Sequence, residues 1–166
     1  MKSGLVLTAI LCLCAAAPPG WFGSGLLVLP GWMAFYALVQ TSRQPKLGAY
    51  VIGVVHILWF SFSLLHRFWM VYPLIALVGG LYYLLAVVWT RALLRYVPGA
   101  LAFGCALCGT TWLRCHMPGI YYPHAQPAHC LYHWPWLMGS VGWGSEVLLN
   151  LLLGMLAAGI VDLYRA

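Results

Sequence analysis

The sequence predicts an all-α integral membrane protein, a bundle of about six transmembrane helices forming one domain over residues 1–166. Three observations lead there. Ionisable residues are scarce, with eight Lys and Arg against two Asp and Glu, while 64% of the 166 residues are hydrophobic. That composition cannot furnish a water-compatible surface, so lipid must solvate most of the chain. Apolar stretches of helical length recur, each ended by Pro, Gly or charge. The basic residues gather in alternate breaks between those stretches, as expected of a multi-pass protein. The length leaves no room for a second, soluble domain.

In chain order, the first two predicted spans are Leu5 to Ala17 and Leu26 to Val39. Both fall short of the ~20 apolar residues that a full crossing needs. Pro18-Pro19-Gly20-Trp21 between them is a strong helix breaker, so the pair reads as a short, tight hairpin. Four further spans follow, Leu47 to Leu65, Leu74 to Thr90, Gly99 to Leu113 and Val141 to Val161. With the N-terminus inside, Lys2, Arg43, Lys46, Arg91, Arg95 and Arg165 fall on the cytoplasmic side, and only Arg67 and Arg114 lie outside. The positive-inside rule therefore places both termini in the cytoplasm. The net charge of +6 reads as orientation and contact with anionic lipid, with no nucleic-acid partner required. Ala15-Ala16-Ala17 has the small residues of a signal-peptide cleavage site, but Pro18 immediately after is a poor context, so the segment is expected to stay.

Several passages, taken in order, resemble the membrane portion of apolipoprotein N-acyltransferase, the bacterial enzyme that adds the third acyl chain to lipoproteins. They are Ala16-Ala17-Pro18-Pro19-Gly20-Trp21, then Leu29-Pro30-Gly31-Trp32-Met33-Ala34, and an aromatic-rich third span at Ile57-Leu58-Trp59-Phe60-Ser61-Phe62-Ser63. Trp112-Leu113-Arg114 is similar to the family's Trp-x-Arg motif, and Val141-Gly142-Trp143-Gly144-Ser145 leading to Asn150 to the turn that opens its sixth span. The resemblance implies a six-span layout in the bacterial inner membrane. The chain departs from the family at Thr111 and Cys115, which stand where Glu and Gly are usual, and at Gly119-Ile120-Tyr121-Tyr122-Pro123 in place of a Gly-Phe-Pro-Trp run. The family's catalytic nitrilase-like domain, with its Glu-Lys-Cys triad, has no counterpart within residues 1–166.

A triad cannot be assembled from what remains. A Cys nucleophile of this kind needs a carboxylate and a Lys within hydrogen-bond reach. Lys2 and Lys46 are expected inside, whereas Glu146 is expected near the outer face, so the membrane separates them. No catalytic residue is carried over.

Other groups remain as binding candidates. Glu146 and Asn150 are one turn apart on the last span, with Gly154 on the same stripe. A carboxylate inside a membrane is costly and marks a functional site or a pair; Arg114 is its nearest topological partner. Glu146, Arg114, Trp112, Asn150 and Trp143 form the expected lipid- or partner-binding set. The loop after Arg114 carries Cys115-His116, His124, His129-Cys130 and His133, with Tyr121, Tyr122 and Tyr132. These rings fit the headgroup level of a bilayer. Four such thiols and imidazoles could close a zinc site, with Cys115, His116, His129 and Cys130 as the candidates, although their spacing follows no standard pattern and the headgroup reading is preferred. Cys115 and Cys130 lie in one external loop of an oxidising compartment, so a disulfide is expected ahead of a metal, at ~3 kcal/mol for a loop of that length. Cys105, Cys108, Trp112 and Cys115 share one helical face and read as small packing residues rather than a redox pair. His56 and His66 do not match in depth as bis-His haem ligands, and no cofactor is expected.

The expected function is a non-catalytic membrane module that binds lipid, a lipoprotein anchor or a partner subunit. Two alternatives stand beside it. One is the membrane half of a split acyltransferase working with a separate nitrilase-like chain; the other is an accessory structural subunit of a larger membrane complex.

Overall fold

The computed structural model describes residues 2–16, 24–62, 69–116, 130–131 and 141–166, with backbone alone for Ser24 and for residues 141–144. Among the described residues there are six α-helices and no strand. They are α1 (Ser3–Ala16), α2 (Val28–Thr41, entered through a 3-10 turn at Ser24–Leu27), α3 (Pro45–Phe60), α4 (Tyr72–Leu93), α5 (Gly99–His116) and α6 (Val141–Leu163). The all-helical expectation holds, and each expected stretch coincides with one helix.

Prolines account for several of the starts. Pro45 and Pro73 stand in the first turn of α3 and α4, where a missing N–H costs no helical bond. α3 ends at Phe60, earlier than the Leu65 expected, because Ser61 (φ −97°, ψ 12°) leaves the helical region while its N–H closes on Ile57. The Pro18–Trp21 turn, His66 and Arg67 lie outside the described residues. Two helices among the described residues are long and apolar enough to cross a bilayer, at Tyr72–Leu93 and Ser145–Leu163; Ser3–Ala16, Gly25–Thr41 and Pro45–Phe60 are apolar but shorter.

Consecutive helices run antiparallel and close into a ring in the order α1, α3, α4, α5, α6, α2, with the closest pairings between α3 and α4 and between α5 and α6. α2 touches α1, α3, α4, α5 and α6 and is the most enclosed helix. Its Trp32, Phe35 and Tyr36 meet Tyr83 of α4 and Phe103 of α5 in one aromatic cluster, with Trp32 stacked on Tyr83 at 5.6 Å and Tyr36 against Phe103 at 5.1 Å. Offset and edge-on ring pairs of this kind add about 0.5–1.5 kcal/mol each beyond their buried area.

The two tightest crossings rely on missing side chains. A Cβ on Gly53 of α3 would stand 2.9 Å from the Gly80 Cα, and one on Gly154 of α6 would stand 2.8 Å from the Gly104 Cα. Small residues at such points let backbones approach, which is how apolar helices associate when lipid outside is as oily as the interface. Gly104 therefore does the packing that the sequence assigned to the cysteine face of α5. Cys105 and Trp112 are exposed and Cys108 and Cys115 only half-buried, so that face points outward, while Ala102, Phe103, Ala106, Leu107, Thr110, Thr111 and Arg114 form the packed side. The outside of the bundle carries Leu7, Leu11, Trp59, Leu74, Leu81, Leu152 and Leu156 as exposed apolar side chains.

At the end of the bundle holding the C-termini of α2, α4 and α6, polar groups tie helices together. Arg91 Nη2 donates to the Val39 and Ser42 carbonyls at 3.1 Å each, closing the C-terminus of α2 with a cation where the helix dipole is negative. The Tyr36 hydroxyl donates to Asp162 Oδ2 at 3.1 Å and accepts from Gln40 Nε2.

Candidate binding site around Arg114

At the opposite end, a pocket opens among α2, α4 and α5. Trp32, Tyr82, Tyr83, Thr110, Thr111 and Arg114 supply its polar lining, with Ala86 and Leu107 completing the wall. The enclosed space is about 20 Å³, room for one water-sized group. Thr110, Thr111 and Arg114 recur at helical spacing on the packed face of α5, which is why one helix supplies three of the polar groups.

Arg114 is only 3% exposed despite standing in the last turn of its helix. A guanidinium suits that position electrostatically, since the α5 carbonyls end there in partial negative charge. Trp32 is 2% exposed, and its indole Nε1 is buried without a hydrogen-bond partner among the described residues. The Thr110 hydroxyl donates back to the Ala106 carbonyl at 2.9 Å, leaving its oxygen able to accept. Behind the pocket the Tyr83 hydroxyl shares a hydrogen bond with His56 Nδ1, while His56 Nε2 is buried without a partner among the described residues. His56 is thus a core residue packed on Phe60 and Tyr83. The pocket offers a buried cation and an unused indole donor, which suits an electron-rich oxygen such as a carbonyl, carboxylate or phosphate oxygen.

The expected binding residues separate into two groups. Arg114 and Asn150 are inside, Asn150 with no exposure at all, and Glu146 is half-buried at the start of the main run of α6. Arg114 and Glu146 are both within electrostatic reach of Cys115, which brings the α6 carboxylate to the same end as the guanidinium. Trp112 faces outward, 50% exposed, and stacks on His116 at 4.6 Å. The Trp143 side chain lies outside the described residues. Sequence reasoning missed Trp32, Tyr82, Tyr83, Thr110 and Thr111, since no spacing pattern links helices so far apart in the chain. It also placed His56 only as a haem candidate.

The backbone beside Glu146 is unusual. Ser145 has φ 63° and ψ 168° inside α6, where the helix is broken, and it is the only positive-φ residue other than glycine among those described. Its Oγ accepts from the Val147 N–H at 3.3 Å, so it caps the run that carries Glu146 and Asn150. A non-glycine residue in that region costs of order 1–3 kcal/mol and persists only where surroundings hold it.

The loop cysteines differ from expectation. No sulfur–sulfur bond joins Cys115 to Cys130 among the described residues, where the sequence led us to expect one. Cys130 is 1% exposed and packs with its carbonyl against Gly25 at the entry to α2, where a Cβ would come within 1.9 Å of that oxygen. Cys115 instead ends α5. Burial pushes the Cys130 thiol up from 9.0 to about 12. The raised value means the protonated form is favoured on folding; its contribution is whole below the ordinary thiol range and is lost as pH climbs through 9 towards 12. Cys130 should accordingly stay unlabelled by maleimide at pH 8 in mild detergent and label fully in sodium dodecyl sulfate, as read by intact mass. Equal labelling in both would contradict its burial.

For the metal set, His116 Nδ1 donates to the Trp112 carbonyl at 2.8 Å, Cys115 and Cys130 sit on different elements, and His129 lies outside the described residues. Among the described residues no group of three His, Cys, Asp or Glu is placed to share an ion. The lysines stand at the far end. Lys46 begins α3 and Lys2 precedes α1, whereas Glu146 begins the main run of α6, whose other end carries Asp162. Sixteen helical residues from Glu146 to Asp162 span ~24 Å. Compared with protein-family models, curated proteins and solved structures, the chain matches none of them.

Proposed function

We propose that the chain is a non-catalytic membrane module: a bundle of about six spans in the bacterial inner membrane, both termini cytoplasmic. Its layout is similar to the membrane part of apolipoprotein N-acyltransferase. At its outer end it binds lipid, a lipoprotein anchor or a partner subunit. The observation that carries the reading is the buried Arg114, lining a pocket with the Trp32 indole, whose Nε1 has no partner among the described residues. A buried cation is expensive to maintain inside a low-dielectric bundle and, within membrane segments, marks a ligand path or site by default. The apolar exterior supports placement in lipid, with α4 and α6 crossing fully and the shorter helices completing the bundle.

The test is affinity purification in mild detergent, with retained lipids and proteins identified by mass spectrometry. Thr111→Val removes a pocket hydroxyl while keeping its shape, and Tyr82→Phe removes the phenol oxygen from the same lining. Each is expected to lower the retained ligand about tenfold, the loss typical of an anchor residue, with the melting temperature unchanged. Equal recovery from wild type and both variants would overturn the proposal.

A further inference from the structure

A second pocket, of about 400 Å³, lies at the Asp162 end, between the α2–α3 turn and the last turn of α4. Arg43, Lys46 and Arg91 line it together with Gln44, Pro45 and Leu47, and none of the lining residues is acidic. The carboxylate at this end, Asp162, accepts from the Tyr36 hydroxyl. Three cations around one space repel each other unless an anion joins them. One of the three is held in place: Arg91 reaches across to the Val39 and Ser42 carbonyls, which fixes its position against α2. Arg43 and Lys46 are exposed at the pocket mouth and free to close on a ligand. Pro45 and the exposed Leu47 add apolar surface to the lining, so the pocket offers charge beside a greasy step.

We infer that this pocket is a binding site for a phosphate oxyanion, of the kind an anionic phospholipid headgroup presents at the cytoplasmic surface. Basic pockets at helix ends on that side hold such headgroups, with each Lys or Arg near the surface worth about fivefold in affinity. A soluble phosphate has the same chemistry but no use for the apolar step. The site is separate from the Arg114 pocket, at the other end of the bundle, and relies on the membrane placement above only for its lipid source.

The test uses the purified full-length protein in a non-ionic detergent, titrated with short-chain phosphatidylglycerol, with phosphatidylcholine and with inorganic phosphate, followed by native mass spectrometry and thermal shift. Wild type is expected to bind phosphatidylglycerol at least about tenfold more tightly than phosphatidylcholine. Arg43→Gln with Lys46→Gln should weaken phosphatidylglycerol binding about twentyfold, and raising salt from about 0.1 to about 0.5 M should shrink the preference. Both side chains are exposed, so the variant should melt at the wild-type temperature without lipid; Arg43→Lys, which keeps the charge, should bind as wild type. Displacement of phosphatidylglycerol by millimolar inorganic phosphate would assign the oxyanion to a soluble source, and no displacement would assign it to the headgroup. Equal affinity for the two lipids, or an undiminished preference in the double variant, would overturn the inference. Retention of ligand in the Thr111→Val comparison is read separately, so either proposal can fail alone.

Discussion

Arg114→Gln should destabilise the bundle by about 3–5 kcal/mol, seen as a melting temperature lowered by about 10 °C in detergent. The guanidinium is 3% exposed, among groups that fold around a cation at the end of α5. A shorter neutral side chain leaves those groups mismatched and the pocket enlarged. Glu146→Gln supplies the companion measurement. If the two charges pair across the α5–α6 contact, its loss should be comparable, and the double change should cost less than the sum of the singles by about 1 kcal/mol or more. Strictly additive losses would defeat the pairing and leave Arg114 as a pocket residue in its own right.

Gly154→Ala comes next in size. A methyl group there would stand 2.8 Å from the Gly104 Cα, and backbone cannot rotate away as a side-chain tip can. The α5 and α6 axes must separate, at about 1–3 kcal/mol, despite the helix propensity gained. Gly159→Ala is the control on the same helix. Its new Cβ would meet only the Ala100 Cβ at 3.9 Å, so the substitution should be neutral or stabilise by up to about 1 kcal/mol. Equal melting temperatures for the two variants would show that the α5–α6 contact is looser than the structure has it.

The contrast between those two glycines shows what a sequence alone carries. Helix positions were legible because Pro45, Pro73, Pro98 and the charged breaks punctuate apolar runs locally, and local punctuation needs no knowledge of neighbours. The Glu146–Asn150–Gly154 stripe was legible through helical spacing, and Asn150 and Gly154 are indeed buried. Which way α5 faces was not. Its cysteines and its Thr110–Arg114 side have similar polarity, so periodicity offers two candidate faces, and only Gly104 against Gly154 decides between them. Arg114 was visible as a rare charge, yet its inward turn into a pocket with Trp32 and Tyr83 depends on three helices meeting. The disulfide expectation failed for a related reason: closeness in sequence put Cys115 and Cys130 together, whereas Cys130 packs against Gly25 instead.

The described length of α1 bears on the membrane placement proposed above. Ser3–Ala16 is 14 residues, a rod of ~21 Å, against a hydrocarbon layer of ~30 Å. Its face with Leu7 and Leu11 is exposed, while α4 on another side of the ring runs 22 residues, ~33 Å. Within a bilayer, such a protein has one short flank and one long flank. In the proposed placement lipid would thin beside α1 and recover its full depth beside α4, each ångström of that hydrophobic mismatch costing a fraction of a kcal/mol. The strain is relieved when two short flanks meet or when a thinner-tailed lipid fills the gap. In the membrane placement proposed above, the bundle would be lopsided in the bilayer plane, and its α1 edge would be where the energy of the annular lipid shell favours lateral association.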